Sequence, residues 1–280
     1  MEHLHAEQLN EAKLQFFINV SHEIRTPMSL IISPLQKLMA TDTDKDHQRS
    51  YGTIYRNAQR ILQLVNQLMD IRKIDKGQMQ LKFQETDIVA FIQDLCYTFE
   101  YQATTKHVQF DFHPDMKELQ AWIDPKNFDK IILNILSNAF KFTPEEGNIQ
   151  VYLRTGEDAE AVPPELRRYF EITIRDSGIG IDEQEMGRIF DRFYQIRNSQ
   201  NNSNVGTGIG LHLTRSLVEL HHGTINVRNN EDAPGCSFII RLPLGQAHLT
   251  PEEIEDKPAI VTPIHLTTAL PQPAETTEEA

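Results

Sequence analysis

A few groups of side chains in this chain have the types and spacing to handle a phosphorylated ligand. His22 is followed by Glu23 and, one helical turn on, by Thr26 in the stretch FFINVSHEIRTPMSLIISPLQKL. On a helix, residues four apart share a face, so one imidazole would have a hydroxyl above it and a carboxylate next to it. A neutral imidazole is a nucleophile, and a neighbouring carboxylate can fix its tautomer and take its proton. Asn134 and Asn138 repeat the four-residue spacing in IILNILSNAFKFTP, with Lys141 three residues beyond. An amide oxygen is a hard ligand suited to Mg²⁺, and an ammonium suits phosphate oxygens. Asp176 opens the loop DSGIG, where Gly178 and Gly180 let a flat ligand approach the backbone and the carboxylate can accept from an exocyclic amine such as that of adenine. Gly206, Gly208 and Gly210 lead into a helix in GTGIGLHL, and the free N–H groups and dipole of a helix start favour phosphate.

Singly, each group has an ordinary structural explanation: a solvated histidine, two capping amides, a glycine turn with a capping Asp. Two familiar phosphate loops are excluded at GTGIGL, because no Lys-Ser or Lys-Thr follows and no strand precedes it.

The elements that must position these groups follow from periodicity. Phe16, Val20, Ile24, Ile31, Leu35 and Leu38 form one apolar stripe, from which His22 projects away, and Pro27 is expected to kink the helix. A polar turn at 41–45 leads to a second helix over 46–75, with Ile54, Ala58, Ile61, Val65, Leu68 and Ile74 near heptad spacing. Such a hairpin cannot bury both apolar faces alone, so we expect a homodimer through residues 1–75, built as a four-helix bundle. Beyond it the pattern predicts strands at 81–85, 108–112, 119–123, 149–154, 169–175, 224–227 and 237–242. Helices are predicted at 88–103, 125–142 and 211–221. Without a regular βαβ rhythm the fold class is α+β, one sheet covered by helices on one face. Phe190 and Phe193 in IFDRFYQ anchor the root of a polar, lid-like stretch, 197–205, or are plain core aromatics.

Composition bounds the rest. A chain of 280 residues can hold two domains, and its net charge of −13 argues against direct nucleic-acid binding. No apolar run is long enough to span a membrane, and the start does not read as a signal peptide. Cys96 and Cys236 form neither a disulfide framework nor a CxxC pair and read as packing residues. Residues 246–280, with five of the fourteen prolines and seven acids against one Lys, read as a disordered linker or tail.

Together these residues resemble the sensor histidine kinases of two-component signalling. SHEIRTP is similar to the phospho-acceptor box, NILSNAFKFTP to the N box, DSGIGI and GTGIGL to the two glycine boxes, and IFDRFYQ to the F box, in the family's order. The resemblance implies a dimerisation and histidine phosphotransfer domain at 1–75 and a catalytic domain with the Bergerat-type ATP-binding α/β sandwich at 80–245. It implies ATP and Mg²⁺ as cofactors and autophosphorylation of His22. Onward transfer would go to an aspartate of a receiver domain, in cis or in trans, with phosphatase activity toward that receiver in reverse. His22 would take the γ-phosphoryl group, Glu23 the ring proton, and Thr26 would position water in the reverse direction. Asn138 would bind Mg²⁺. Related ATPases of this fold carry a glutamate where Asn134 stands, so the amide would favour transfer over hydrolysis. Asp176 would contact adenine; Lys141, Phe142, Gly178, Gly180, Arg192, Gly206, Thr207, Gly208, Gly210 and Leu211 would complete the nucleotide site. Two other readings are a binding or phosphatase module that holds ATP, disfavoured by Glu23 and Asn138, and an ATP-hydrolysing machine of the same fold, disfavoured by Asn134 and the His22 hairpin. LPLGQAHLT and the tail after it resemble hybrid kinases in which a receiver follows the core. The chain is then expected to be the cytoplasmic portion of an inner-membrane receptor, tied to the membrane only by segments preceding residue 1.

Overall fold

The computed structural model describes residues 24–195 and 207–255. His22, Glu23 and Gly206, the stretch 197–205 and the tail from 256 onward lie outside them. Helix α1 covers residues 24–41 and runs on through Pro27. Helix α2, Lys45–Asp75, starts at Asp44, whose carboxylate accepts from the backbone N–H groups of Asp46 and His47. The two helices meet through Met28, Ile32 and Ala58, flanked by Ile24, Tyr55 and Leu62. Arg25 Nη2 donates to Asn66 Oδ1 at 3.0 Å, which fixes their register.

The inner face differs from the expected stripe. Ile31, Leu38, Ile54 and Ile61 stay exposed, as does Leu30 at 70%. An apolar helix carries two adjacent faces here, one facing the other arm of the hairpin and one left outward.

The second lobe is built on a five-stranded sheet ordered β2-β4-β5-β7-β6. Its strands are β2 Gln109–Pro114, β4 Asn148–Glu157, β5 Arg168–Asp176, β6 Thr224–Asn229 and β7 Cys236–Pro243. β2 and β4 run parallel, and the other pairs are antiparallel. β1, Gln84–Asp87, pairs with β3, Gln120–Ile123, as a separate two-stranded ribbon. Helices α3 (Ile88–Tyr97), α4 (Glu100–Lys106), α5 (Pro125–Phe142), the short α6 (Glu183–Met186) and α7 (Gly210–Leu220) complete the lobe. Residues 128, 131, 132, 135, 136, 139 and 140 give α5 a stripe that is fully or almost fully buried. That stripe packs with Ile149, Val151, Ile172 and Ile174 of the sheet and with Leu213, Leu217 and Val218 of α7 in one core. Ile71 near the end of α2 joins the same core, so the hairpin docks on the lobe.

The expected helix over 88–103 is two helices. Thr98 Oγ1 donates to the carbonyl of Leu95, a local bond that competes with helix continuation. Phe99 then stacks on Phe140, ring centroids 5.1 Å apart.

Residues 246–255, which composition assigned to a disordered tail, form an ordered turn. Phe83 N–H donates to Glu253 O at 2.7 Å and Glu255 N–H donates to Phe83 O at 2.9 Å. The segment gains order by pairing with the linker that joins hairpin and lobe. Both cysteines are buried free thiols, and burial pushes Cys96 up to about 12. Among the described residues no helix is long and apolar enough to cross a membrane.

Candidate nucleotide site

α5 carries the first part of the site. Asp124 caps it by accepting from Asn127 N–H at 3.0 Å, and Pro125 occupies the first turn, where its missing N–H costs nothing. At its other end Lys106 Nζ donates to the carbonyls of Phe140 (2.6 Å) and Thr143, satisfying acceptors a helix end leaves open. The buried stripe leaves Asn134 and Asn138 half-buried on a neighbouring face.

The two amides are used differently. Asn134 Nδ2 donates to Thr214 Oγ1 of α7 at 2.8 Å. A Cβ on Gly210 would sit 2.5 Å from Asn134 Oδ1, so a larger residue there would push the amide aside. Asn138 makes no hydrogen bond with any of the described residues, so its amide oxygen is free for a ligand.

Asp176 ends β5 and is 5% exposed. Its Oδ1 accepts from Gly178 N–H at 2.8 Å, and its Oδ2 accepts from the Cys236 thiol at 3.2 Å. Burial, with that carboxylate close by, pushes the Cys236 thiol far up, so it stays a neutral donor. Gly178 lies against the end of α5, where a Cβ would come 2.8 Å from Phe142 O. Gly180 lies beside Asn229, which pins the loop by accepting from Ile181 N–H (2.9 Å) and donating to Ile181 O (2.7 Å).

The second glycine loop is held from the F-box side. Gly208 has φ +69 and lies so close to the backbone of Phe193 that a Cβ would meet its carbonyl carbon at 2.6 Å. Phe193 N–H donates to Gly208 O at 2.9 Å. Phe190 is a core aromatic, edge-on to Phe238, and Phe193 packs against the same core. Thr207 and Leu211 are half-buried on either side of Gly208, and α7 starts with no side-chain cap. The start of α7 therefore lies against the middle of α5 at Asn134, and the Asp176 loop against its end at Phe142. Along that helix are thus ranged an uncapped helix start, the amide of Asn138 and the loop that carries the buried carboxylate.

Three further expected residues are Lys141, Arg192 and Thr26. Lys141 lies over the Phe142 ring at 4.9 Å, and burial, with Arg60 beside it, lowers its pKa. Arg192 donates to both Asp75 oxygens and to His212 Nε2. Thr26 is exposed on α1. Sequence reasoning missed Asp75, His212, Thr214 and Cys236, because each acts through a contact between elements far apart in the chain. A depression of about 200 Å³ lined by Asp158, Tyr169, Thr224 and Arg241 lies at the opposite strand ends from Asp176 and has no part in this constellation.

Residues 12–77 match the His Kinase A (phospho-acceptor) domain family, and residues 123–246 match the family described as histidine kinase-, DNA gyrase B- and HSP90-like ATPase. "Histidine kinase P4" of Formosa agariphila is 36% identical over 253 residues, covering 89% of this chain and 18% of its own. "Sensor histidine kinase TmoS" of Ectopseudomonas mendocina is 39% identical over 241 residues, covering 85% of this chain and 23% of its own. The chain thus spans about a fifth of the length of these relatives. In fold it is similar to full-length ShkA in complex with AMPPNP, with a TM-score of 0.65 at 20% identity over 82% of this chain and 46% of that one.

Proposed function

The chain belongs to the histidine kinases, and from its phospho-acceptor and ATPase domains in tandem we propose that it moves the γ-phosphoryl group of Mg-ATP to His22 and then to an aspartate of a receiver domain. One observation carries this reading: α5 stands against both parts of the site, with Asn134 against Gly210 and Thr214 of α7 and Phe142 against Gly178 of the Asp176 loop. A buried carboxylate at the end of α5 and an uncapped helix start against its middle suit a purine at one end and phosphates at the other.

The residues fit the metal as well. Among the described residues the Asn138 amide oxygen has no partner, and no cluster of three acids, histidines or cysteines offers a rival site. Mg²⁺ would then rest on Asn138, on waters and on the phosphates, and would supply charge neutralisation.

The protein's own tasks are positioning and proton handling. His22 attacks as the neutral imidazole, so a nitrogen–phosphorus bond forms as the bond from the γ-phosphorus to its bridging oxygen breaks, and ADP departs. Glu23 takes the ring proton. Thr26, exposed on α1, orients water when the receiver is dephosphorylated. Asn134 cannot act as a base, and its amide is already held between Thr214 and Gly210. This disfavours an ATP-hydrolysing machine. The exposed Leu30, Ile31, Leu38, Ile54 and Ile61 support pairing of two hairpins.

Incubation with γ-labelled Mg-ATP tests the reading. Acid-labile, base-stable label on the chain is expected, and steady release of inorganic phosphate with no label on protein would overturn it.

A further inference from the structure

Arg192 is committed in a way its motif does not suggest. Its Nη1 donates to Asp75 Oδ2 at 3.0 Å and its Nη2 to Asp75 Oδ1, a two-pronged grip on one carboxylate. Its Nε donates to His212 Nε2 at 2.8 Å. His212 Nε2 is thereby an acceptor, so Nδ1 carries the proton and donates to Phe190 O at 3.1 Å. Burial, then the neighbouring guanidinium, lowers the His212 pKa and keeps the ring neutral.

Asp75 is the last residue of α2, and His212 stands in the first turn of α7. The hairpin therefore brings a carboxylate to the helix start that has no cap of its own, where any anion is favoured. A second bridge, Lys130 Nζ to Asp70 Oδ2 at 2.7 Å, holds the same helix to α5.

We propose that Asp75 competes with the phosphates of the nucleotide for Arg192. Filling the nucleotide site then frees Asp75 and loosens the last turn of α2, and emptying the site restores the contact, while Ile71 stays in the lobe's core. One guanidinium fork grips one oxyanion at a time, and carboxylate and phosphate fit the same fork. The Asp75–Arg192 pair is partly exposed, with side-chain exposures of 26% and 35%, and such pairs are weak enough for a polyanion to displace. Coupling is reciprocal, so whatever pulls the hairpin away also tightens nucleotide binding. The inference rests on the nucleotide reading above, and it gives that site a device that links loading to the lobe's grip on the end of the hairpin.

Titration of the full chain with AMPPNP and Mg²⁺ tests it. Asp75→Asn should bind on the order of threefold more tightly than wild type. Arg192→Gln should bind less tightly, and the double variant should match Arg192→Gln. Equal affinity of Asp75→Asn and wild type, or an added effect in the double variant, overturns the competition and leaves the nucleotide site standing. Absence of binding by wild type removes both. In wild type itself, AMPPNP should speed hydrogen exchange at residues 70–76, and unchanged exchange there contradicts release.

Discussion

Asn134 Nδ2 donates to Thr214 Oγ1 at 2.8 Å, which ties the middle of α5 to the second turn of α7. Thr214 is 1% exposed, so removing its partner strands a buried hydroxyl, at a cost of about 1–3 kcal/mol. Asn134→Ala should lower thermal stability by that amount and weaken AMPPNP binding. In the Thr214→Val background the same change should cost much less, because the stranded group is gone. Additive losses in this double-mutant cycle would mean the bond does not join the helices.

Asn138 should behave in the opposite way. Its amide bonds to none of the described residues, so Asn138→Ala should shift the melting temperature by only about 2 °C or less. Phosphoryl incorporation should nevertheless fall at least about tenfold, the loss typical for weakening a metal's support. A variant that melts normally and labels normally would remove Asn138 from the metal site.

Much of this was legible in the sequence where the cause is local. The limits of α5 follow from a cap, a proline and a 3.6-residue apolar period, and both glycine loops could be placed by their neighbours. Contacts made across the chain were not legible. The turn at 246–255 reads as tail until Phe83 supplies its backbone partners, and nothing local in IFDRFYQ announces that Asp75 is brought to Arg192. Periodicity likewise merged two faces of the hairpin, because Ile31 and Ile32 are equally apolar and only packing separates them.

Asp129 predicts a pH dependence. It is 6% exposed, its Oδ1 has no partner, and burial raises its pKa from 3.8 to about 6. The folded state holds this proton more tightly, so stability falls as pH rises from about 4 to 6 and the cost persists at pH 7. Asn in its place keeps the shape without the charge. Asp129→Asn should therefore gain on the order of 2–3 kcal/mol at pH 7 and almost nothing at pH 3.5, where the native carboxyl is already protonated. A gain that does not vary with pH in denaturant melts would contradict a buried charge as its cause.

Ile54 and Ile61 are 49% and 40% exposed on α2, an apolar surface larger than a lone hairpin needs. The double change Ile54→Glu and Ile61→Glu should convert a dimer to a folded monomer in light scattering. A wild-type chain that is monomeric at micromolar concentration would contradict the paired bundle.

The most direct test locates the phosphoryl group itself. After incubation with Mg-ATP at neutral pH and digestion under alkaline conditions, mass spectrometry should find it on the peptide that holds His22 and nowhere else, and His22→Gln should carry none while still binding AMPPNP. Full incorporation in His22→Gln, or a phosphoryl group mapped to another residue, would contradict the account.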